Sequence, residues 1–289
     1  MGLRFHKMHG AGNDFMLVDL RGEARQDASP PIDGGLARRW GDRHTGVGFD
    51  QLLVLRDGDR NGLDADVAIW NADGSAAEQC GNGMRAIGLY LARAQQGDRA
   101  GGDDAGPKRF LVRTPAGEIA LRCGGDGISV AMGSPRWNAA DIPLEGLEPD
   151  EEGSCRLLLV DSEIRFGALS LGNPHAVVEV DAVESAPLAT VGRALRVHPA
   201  FPAGCNVGFA EVVDRERIRL RVLERGADET RACGSGACAA VAWLARRGRV
   251  AGWVRVEQGG GTLWVETDRG VGPVTLTGPA VHVFEGTLA

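Results

Sequence analysis

The sequence predicts an α+β protein of two pseudo-symmetric lobes, each an antiparallel sheet wrapped around a central helix. Three features point there. Two segments begin Cys-Gly-x-Gly and continue with helical periodicity. Four landmarks recur in the same order in the two halves of the chain. The remaining chain alternates short β-rich runs with tight glycine turns, a pattern that favours antiparallel pairing.

In chain order, Gly12-Asn13-Asp14-Phe15 reads as a turn entering a strand over Met16-Leu17-Val18-Asp19. Phe49-Asp50-Gln51 is the next landmark, and a segment starting at Asn71 lies nine residues before Cys80. After Cys80-Gly81-Asn82-Gly83, the residues Met84, Ile87, Gly88 and Leu91 fall on one helical face. Runs at 109–114, 118–123 and 128–132 form a meander, and 133–153, rich in Pro, Gly and acids, reads as a linker.

The second half repeats the series. Strands are expected at 156–160 and 164–171, and Gly172-Asn173-Pro174-His175 leads into Ala176-Val177-Val178-Glu179. Gly204-Cys205-Asn206 follows, then a strand at 218–224 ending at Glu224, nine residues before Cys233. After Cys233-Gly234-Ser235-Gly236, the residues Ala237, Ala240, Val241 and Leu244 share one helical face. The helices are expected to end at Gly97 and Gly248 in left-handed caps, and strands at 253–258 and 262–267 follow. The two helices should sit in the two cores, with their N-termini aimed at a shared cleft.

Composition narrows the function. The chain has 289 residues, 43% hydrophobic and 25% charged, the profile of a soluble globular protein with cores that need no staples. A net charge of −7 and the lack of a basic, aromatic-studded stripe argue against nucleic acid. No apolar run reaches membrane-spanning length and no signal core follows Met1, so a cytoplasmic protein is expected. The six cysteines should then be free thiols; none forms a Cys-x-x-Cys pair, and no metal site is expected. Only Lys7 and Lys108 are lysines, and neither has a convincing pyridoxal phosphate setting. With no dinucleotide fingerprint and no Walker loop either, chemistry without a cofactor is expected.

The paired cysteines supply that chemistry. A helix N-terminus offers unpaired N–H groups and partial positive charge, which should lower a thiol's pKa and cradle a carboxylate. Two such ends face to face would put one sulfur on each side of the carbon next to a bound carboxylate. One thiolate removes the α-proton, the opposite thiol returns one to the other face, and the configuration inverts. Cys80 and Cys233 are thus the expected catalytic pair, while Cys123, Cys155, Cys205 and Cys238 read as structural.

These motifs resemble the diaminopimelate epimerase family. The resemblance rests on residues 9–15, 48–51, 71–75 and 80–85 in the first half. In the second half it rests on 172–175, Asn206-Val207, Glu224-Arg225-Gly226 and 232–238. It implies cofactor-free interconversion of LL- and meso-diaminopimelate, serving lysine and peptidoglycan synthesis, by a homodimer. Cys80 and Cys233 would be base and acid, and Gly81, Asn82, Gly234 and Ser235 would hold the carboxylate at the reacting centre. Asn13, Gln51, Asn71, Asn173, Asn206, Glu224 and Arg225 would line the rest of the substrate site. Arg225 beside Glu224 suits the distal zwitterion of a diamino diacid. By the same analogy, His175 and Glu224 set the thiols' protonation states, a cation favouring thiolate and an anion thiol. His6, His9, His44, His198 and His282 are given no catalytic role.

The family plan also returns the last strand to the first lobe, so the lobes are expected to be 1–131 with 277–289, and 132–276. Small departures are His44, Ala86 and Leu223, where an arginine, a cysteine and an aromatic are usual. A proline-type racemase shares the two-cysteine plan but not the need for a second charged end on its substrate. A phenazine-type isomerase would lack the cysteine pair, and a thiol or metal-binding module would bind zinc stoichiometrically.

Overall fold

The computed structural model describes residues 2–22, 32–78, 80–96, 106–125, 127–159, 162–226 and 228–288. The chain divides into two compact units, residues 1–130 with 277–289, and residues 131–276. The class is α+β: many short strands and few helices. Among the described residues no helix is long and apolar enough to cross a membrane.

Unit 1 contains β1 (Leu3–Gly10), β2 (Asn13–Asp19), α1 (Gly34–Gly41), β3 (Gln51–Arg56), β4 (Ala65–Asn71) and β5 (Ala76–Ala77). There follow α2 (Gly81–Gln96), β6 (Lys108–Thr114), β7 (Gly117–Gly124) and β8 (Gly127–Ala131). β17 (Thr275–Gly278) then leads into β18 (Val281–Leu288), which lies antiparallel to β1. From β1 the order continues β2, β3, β4, β6, β7, β8. The β2–β3 and β4–β6 pairs are parallel and the rest antiparallel.

Unit 2 runs β9 (Ser154–Leu159), β10 (Ser162–Ser170), β11 (Pro174–Glu179), β12 (Asn206–Asp214), β13 (Arg217–Leu223) and β14 (Glu229–Thr230). Then come α3 (Gly234–Arg246), β15 (Trp253–Gln258) and β16 (Gly261–Glu266). Its pairing series is β9, β10, β11, β12, β13, β15, β16, with parallel pairs at β11–β12 and β13–β15. Strand for strand this is the unit 1 series from β18 to β7. The repeat extends to register: Phe15 lies beside Gln51 in one unit and His175 beside Asn206 in the other. The sheets are therefore mixed, not antiparallel as expected. The connections from β2 to β3 and from β11 to β12 are long crossovers, one holding α1 and the other a run of short helical turns that includes Arg193–Arg196. Such crossovers, unlike hairpins, permit parallel neighbours.

Both long helices are central to their units. α2 packs on β1, β2, β6, β7 and β18, and α3 on β10, β11, β12, β13 and β16. Residues 81–88 and Leu91 are buried, as are Gly234 and 236–245. A helix enclosed on every side must be small or apolar all round, which explains the alanine-rich α3. Small strand residues let large side chains in: a Cβ on Gly167 would stand 2.3 Å from the Trp243 ring. The Trp243 indole donates to Ser154 Oγ at 3.2 Å and carries the Arg247 guanidinium over its face.

α3 ends as expected. Gly248 has φ +67°, its N–H donates to Ala245 O at 3.0 Å, and Arg249 N–H donates to Leu244 O at 2.9 Å, the paired bonds of a Schellman cap. Gly97, expected to end α2, lies outside the described residues. Residues 133–153 are not a linker. Ala139, Ile142 and Leu144 are buried with Cys155, Phe166, Phe201 and Phe209 in the unit 2 core. The prolines, glycines and acids of this stretch lie between its apolar anchors, so composition concealed a wall of the core.

Candidate functional site

Each unit carries a candidate cluster of its own, built at the N-terminus of its buried helix. Cys80 precedes α2, and its sulfur accepts from Gly83 N–H at 3.3 Å while its carbonyl accepts from Met84 N–H at 2.9 Å. Cys233 repeats this on α3: its sulfur accepts from Gly236 N–H at 3.4 Å and its carbonyl from Ala237 N–H at 3.0 Å. The cysteine side chain thus stands in for the usual Ser or Asp cap. Glycine three residues on is what makes room, because a Cβ on Gly236 would lie 3.2 Å from the Cys233 sulfur.

In unit 1, Asn13, Cys80 and Asn82 meet. Asn13 Oδ1 accepts from the Cys80 thiol at 3.9 Å and from Asn82 Nδ2 at 3.4 Å. Both amides are oriented by charge. Asp50 Oδ2 accepts from Asn13 Nδ2 at 2.8 Å, and Asn82 Oδ1 accepts from Arg85 Nη2 at 2.8 Å. A carboxylate only accepts and a guanidinium only donates, so the intervening Asn13–Asn82 bond can run in one direction only. Arg43 secures the acidic end by donating to Asp50 at 2.8 Å and to Asp14 at 2.7 Å. Lys7 donates to Asp14 and to Gly48 O. Gln51 Nε2 donates to Asn71 Oδ1 at 2.9 Å, and Asn71 donates to Ser75 Oγ. Among the described residues Gln51 Oε1 is buried with no hydrogen-bond partner, an acceptor ready for an N–H of a bound molecule.

In unit 2, Ser235 hydroxyl lies 3.6 Å from the Cys233 sulfur, and Glu224 accepts from Thr230 Oγ1 at 2.6 Å. Cys233 is only 4% exposed. Burial, then the Glu224 carboxylate, push its thiol well above the ordinary range; the Gly236 N–H and Ser235 hydroxyl pull the other way and lose. At Cys233 desolvation thus works against the lowering expected at a helix tip, and the direction is upward. Asn206 is buried, and its Oδ1 accepts from Arg225 N–H at 2.8 Å while the Arg225 side chain stays exposed. His175 is buried on β11 with Nε2 at 3.0 Å from Asn173 Oδ1. Burial, helped by Arg225, pushes its pKa down to about 3. Burial thus favours the neutral imidazole over the imidazolium at this position.

The diaminopimelate epimerase family model matches residues 5–138 and 167–283. A diaminopimelate epimerase of Xanthomonas axonopodis pv. citri is 47% identical over 285 residues, covering 98% of this chain and 95% of that protein. One from Xylella fastidiosa is 48% identical with the same coverage. The chain belongs to the diaminopimelate epimerase family. Solved structures share the fold at low identity. A hydroxyproline epimerase from Agrobacterium vitis is 16% identical with a TM-score of 0.67, covering 99% of this chain and 92% of that one. A Bacillus anthracis protein of the PhzF family is 15% identical with a TM-score of 0.63, covering 100% and 99%. The racemase and isomerase alternatives thus share this architecture, and sequence kinship separates the diaminopimelate epimerase family from them.

In this family member, several residues that sequence reasoning passed over hold the site together. Gln258, on β15, accepts from Cys233 N–H at 2.9 Å and donates to Cys233 O at 3.3 Å, gripping the cysteine's own backbone. Arg85 is fully buried and reaches Pro279 O as well as Asn82. Asp50, Arg43 and Thr230 complete the set. A charged residue directly after the Cys-Gly-Asn-Gly-Met start of the helix was the available signal for Arg85. Gln258 had none, because only the fold brings the end of β15 to Cys233. Of the other cysteines, Cys155, Cys205 and Cys238 are buried and Cys123 is half-buried. Burial raises the thiols of Cys123, Cys155 and Cys205.

Proposed function

We propose that this chain interconverts LL- and meso-2,6-diaminopimelate by a two-base reaction using only its own side chains, in lysine and peptidoglycan synthesis. Family membership together with a cysteine cap on each of the two buried helices is the observation that supports this reading most. One thiolate takes the α-proton and the other thiol delivers its proton to the opposite face, so the two sulfurs exchange roles and the substrate keeps its composition while its α-hydrogen is replaced. Cys80 and Cys233 serve as base and acid in one direction and as acid and base in the other.

The negative charge that builds on the substrate carboxylate is met by the first-turn N–H groups of Gly81, Asn82, Gly234 and Ser235. The Asn13–Asn82 chain fixes the thiol side of unit 1, and Gln51 Oε1 accepts from a substrate ammonium. Asn71, Asn173 and Asn206 line the pocket, and Arg225 with Glu224 takes the distal zwitterion. His175 acts through Asn173 as a neutral hydrogen-bonding group. The protein works as a cytoplasmic homodimer whose lobes are residues 1–131 with 277–289, and 132–276.

Incubation of LL-diaminopimelate in deuterated water tests the reading. Inversion with deuterium at one α-carbon is expected, with strong loss in both Cys80→Ala and Cys233→Ala. Full turnover by either variant rejects the two-base assignment.

A further inference from the structure

Unit 1 holds a second cluster that this reaction does not use. His6 lies on β1, and His282 and Glu285 lie on β18. In the ladder His6 faces Glu285, Lys7 faces Phe284 and Met8 faces His282, so Val283 is an extra residue. That bulge resets the alternation of β18 and turns His282 and Glu285 to the same face. His6 Nδ1 stands 3.1 Å from His282 Nε2 and 3.6 Å from Glu285 Oε2. One ligand atom from each residue lies within 4.8 Å of the others.

The three side chains border an open pocket of about 330 Å³ that Arg4, Asp19, Tyr90 and Arg93 also line. His6 is mostly sheltered, at 14% side-chain exposure, while Glu285 is half exposed and can swing. Arg4 holds Glu285 Oε1 at 3.3 Å, which leaves Oε2 turned toward His6.

We propose that His6, His282 and Glu285 bind a divalent transition-metal ion of the zinc, cobalt or nickel class. A metal about 2.0–2.1 Å from imidazole nitrogens and about 2.0–2.2 Å from a carboxylate oxygen sets its donors roughly 3.4 Å apart at tetrahedral angles. The two separations from His6 bracket that value. Two imidazole nitrogens with one carboxylate select borderline transition ions over magnesium or calcium. Asp19 beside the pocket is already paired with Arg21, and Glu285 faces Arg4, so the negative charge offered to a cation comes from Glu285 itself. The ion replaces the proton shared by the two rings and ties β1 to β18, residues 276 apart in sequence. Its role is to clip the unit, through affinity for the folded state alone.

The test uses the full chain, free of any histidine tag, reduced and stripped with chelator. Cobalt(II) is titrated by visible absorbance, with metal analysis after dialysis. One ion per chain is expected, with a nitrogen–oxygen spectrum lacking the thiolate charge-transfer band, together with a raised thermal midpoint. His6→Ala and His282→Ala should weaken binding by more than the ~10–100-fold that loss of an outer-shell partner costs. Glu285→Gln should weaken it less, and the Cys80→Ser/Cys233→Ser double variant should bind as the parent does. If the alanine variants fail to fold, His6→Asn and His282→Gln take their place. Three results overturn the proposal: no stoichiometric ion, undiminished binding in folded His6 variants, or binding lost in the cysteine double variant.

Discussion

Replacing Gln258 by leucine should unsettle Cys233 without touching the thiol. The wild-type amide makes two bonds to the Cys233 backbone, and they are unequal. The carbonyl of Cys233 keeps its bond from Ala237 N–H when Gln258 is lost, so the long 3.3 Å contact contributes little. Its N–H, bonded to Gln258 Oε1 at 2.9 Å in a residue 4% exposed, loses its acceptor. An orphaned buried donor costs about 1–3 kcal/mol, and the half-buried Gln258 position lets some water return, so about 2 kcal/mol is expected. Urea unfolding reads this through tryptophan fluorescence, since Trp137, Trp243, Trp253 and Trp264 lie in unit 2. The same loosening should lower kcat by roughly tenfold or more with KM little changed, because misplacing a reacting group by about 1 Å costs up to ~10²-fold. Gln258→Glu keeps an acceptor for the N–H and should recover most of the stability. A Gln258→Leu protein within about 0.5 kcal/mol of wild type, with unaltered kcat, refutes the clamp.

Glu224→Gln should bring the Cys233 thiol down in pKa, because the carboxylate's charge is one of the causes that raise it. Alkylation of the Cys233 peptide followed by mass spectrometry against pH reads the shift, and an unmoved profile counts against the role given to Glu224. Asp14 is held down to about 2 from an ordinary 3.8; burial opposes this, but bonds from Arg43 and Lys7 outweigh it. A depressed carboxylate stabilises the fold above its unfolded pKa and loses that contribution as pH falls through the folded one. Asp14→Asn should therefore cost roughly 2 kcal/mol at neutral pH, and the gap from wild type should begin to narrow near the ordinary pKa of 3.8 and close toward the folded value of about 2 in urea titrations. Ile142 is fully buried, so Ile142→Ala should cost about 2–5 kcal/mol by calorimetry, whereas a true linker would tolerate it.

Local chemistry made most of the fold legible. Strands read at 109–114 and 253–258 stand at Lys108–Thr114 and Trp253–Gln258, because alternation and glycine turns are written within a few residues. The two cysteine-capped helices were visible for the same reason, and so was the Gly248 stop. The parallel pairs were hidden, since they depend on where a crossover lands. α1 and the helical turns around Arg193–Arg196 were missed, being short and weakly periodic. At the site, motif residues such as Asn13 and Asn82 were legible, but the state of Cys233 was not. A helix tip can be read from spacing; complete burial and the approach of Glu224 arise only on packing.

The pairing of β18 with β1 orders events at the ribosome. β1 emerges before unit 2 and its partner after it, with all of unit 2 encoded between them. Unit 2 can assemble while the nascent chain is still growing; unit 1 must keep one flank of β1 uncovered until translation reaches residues 281–288. The half that starts first is thus the half that finishes last, and a message cut short before β18 yields a completed second half attached to a first half with an open, adhesive edge.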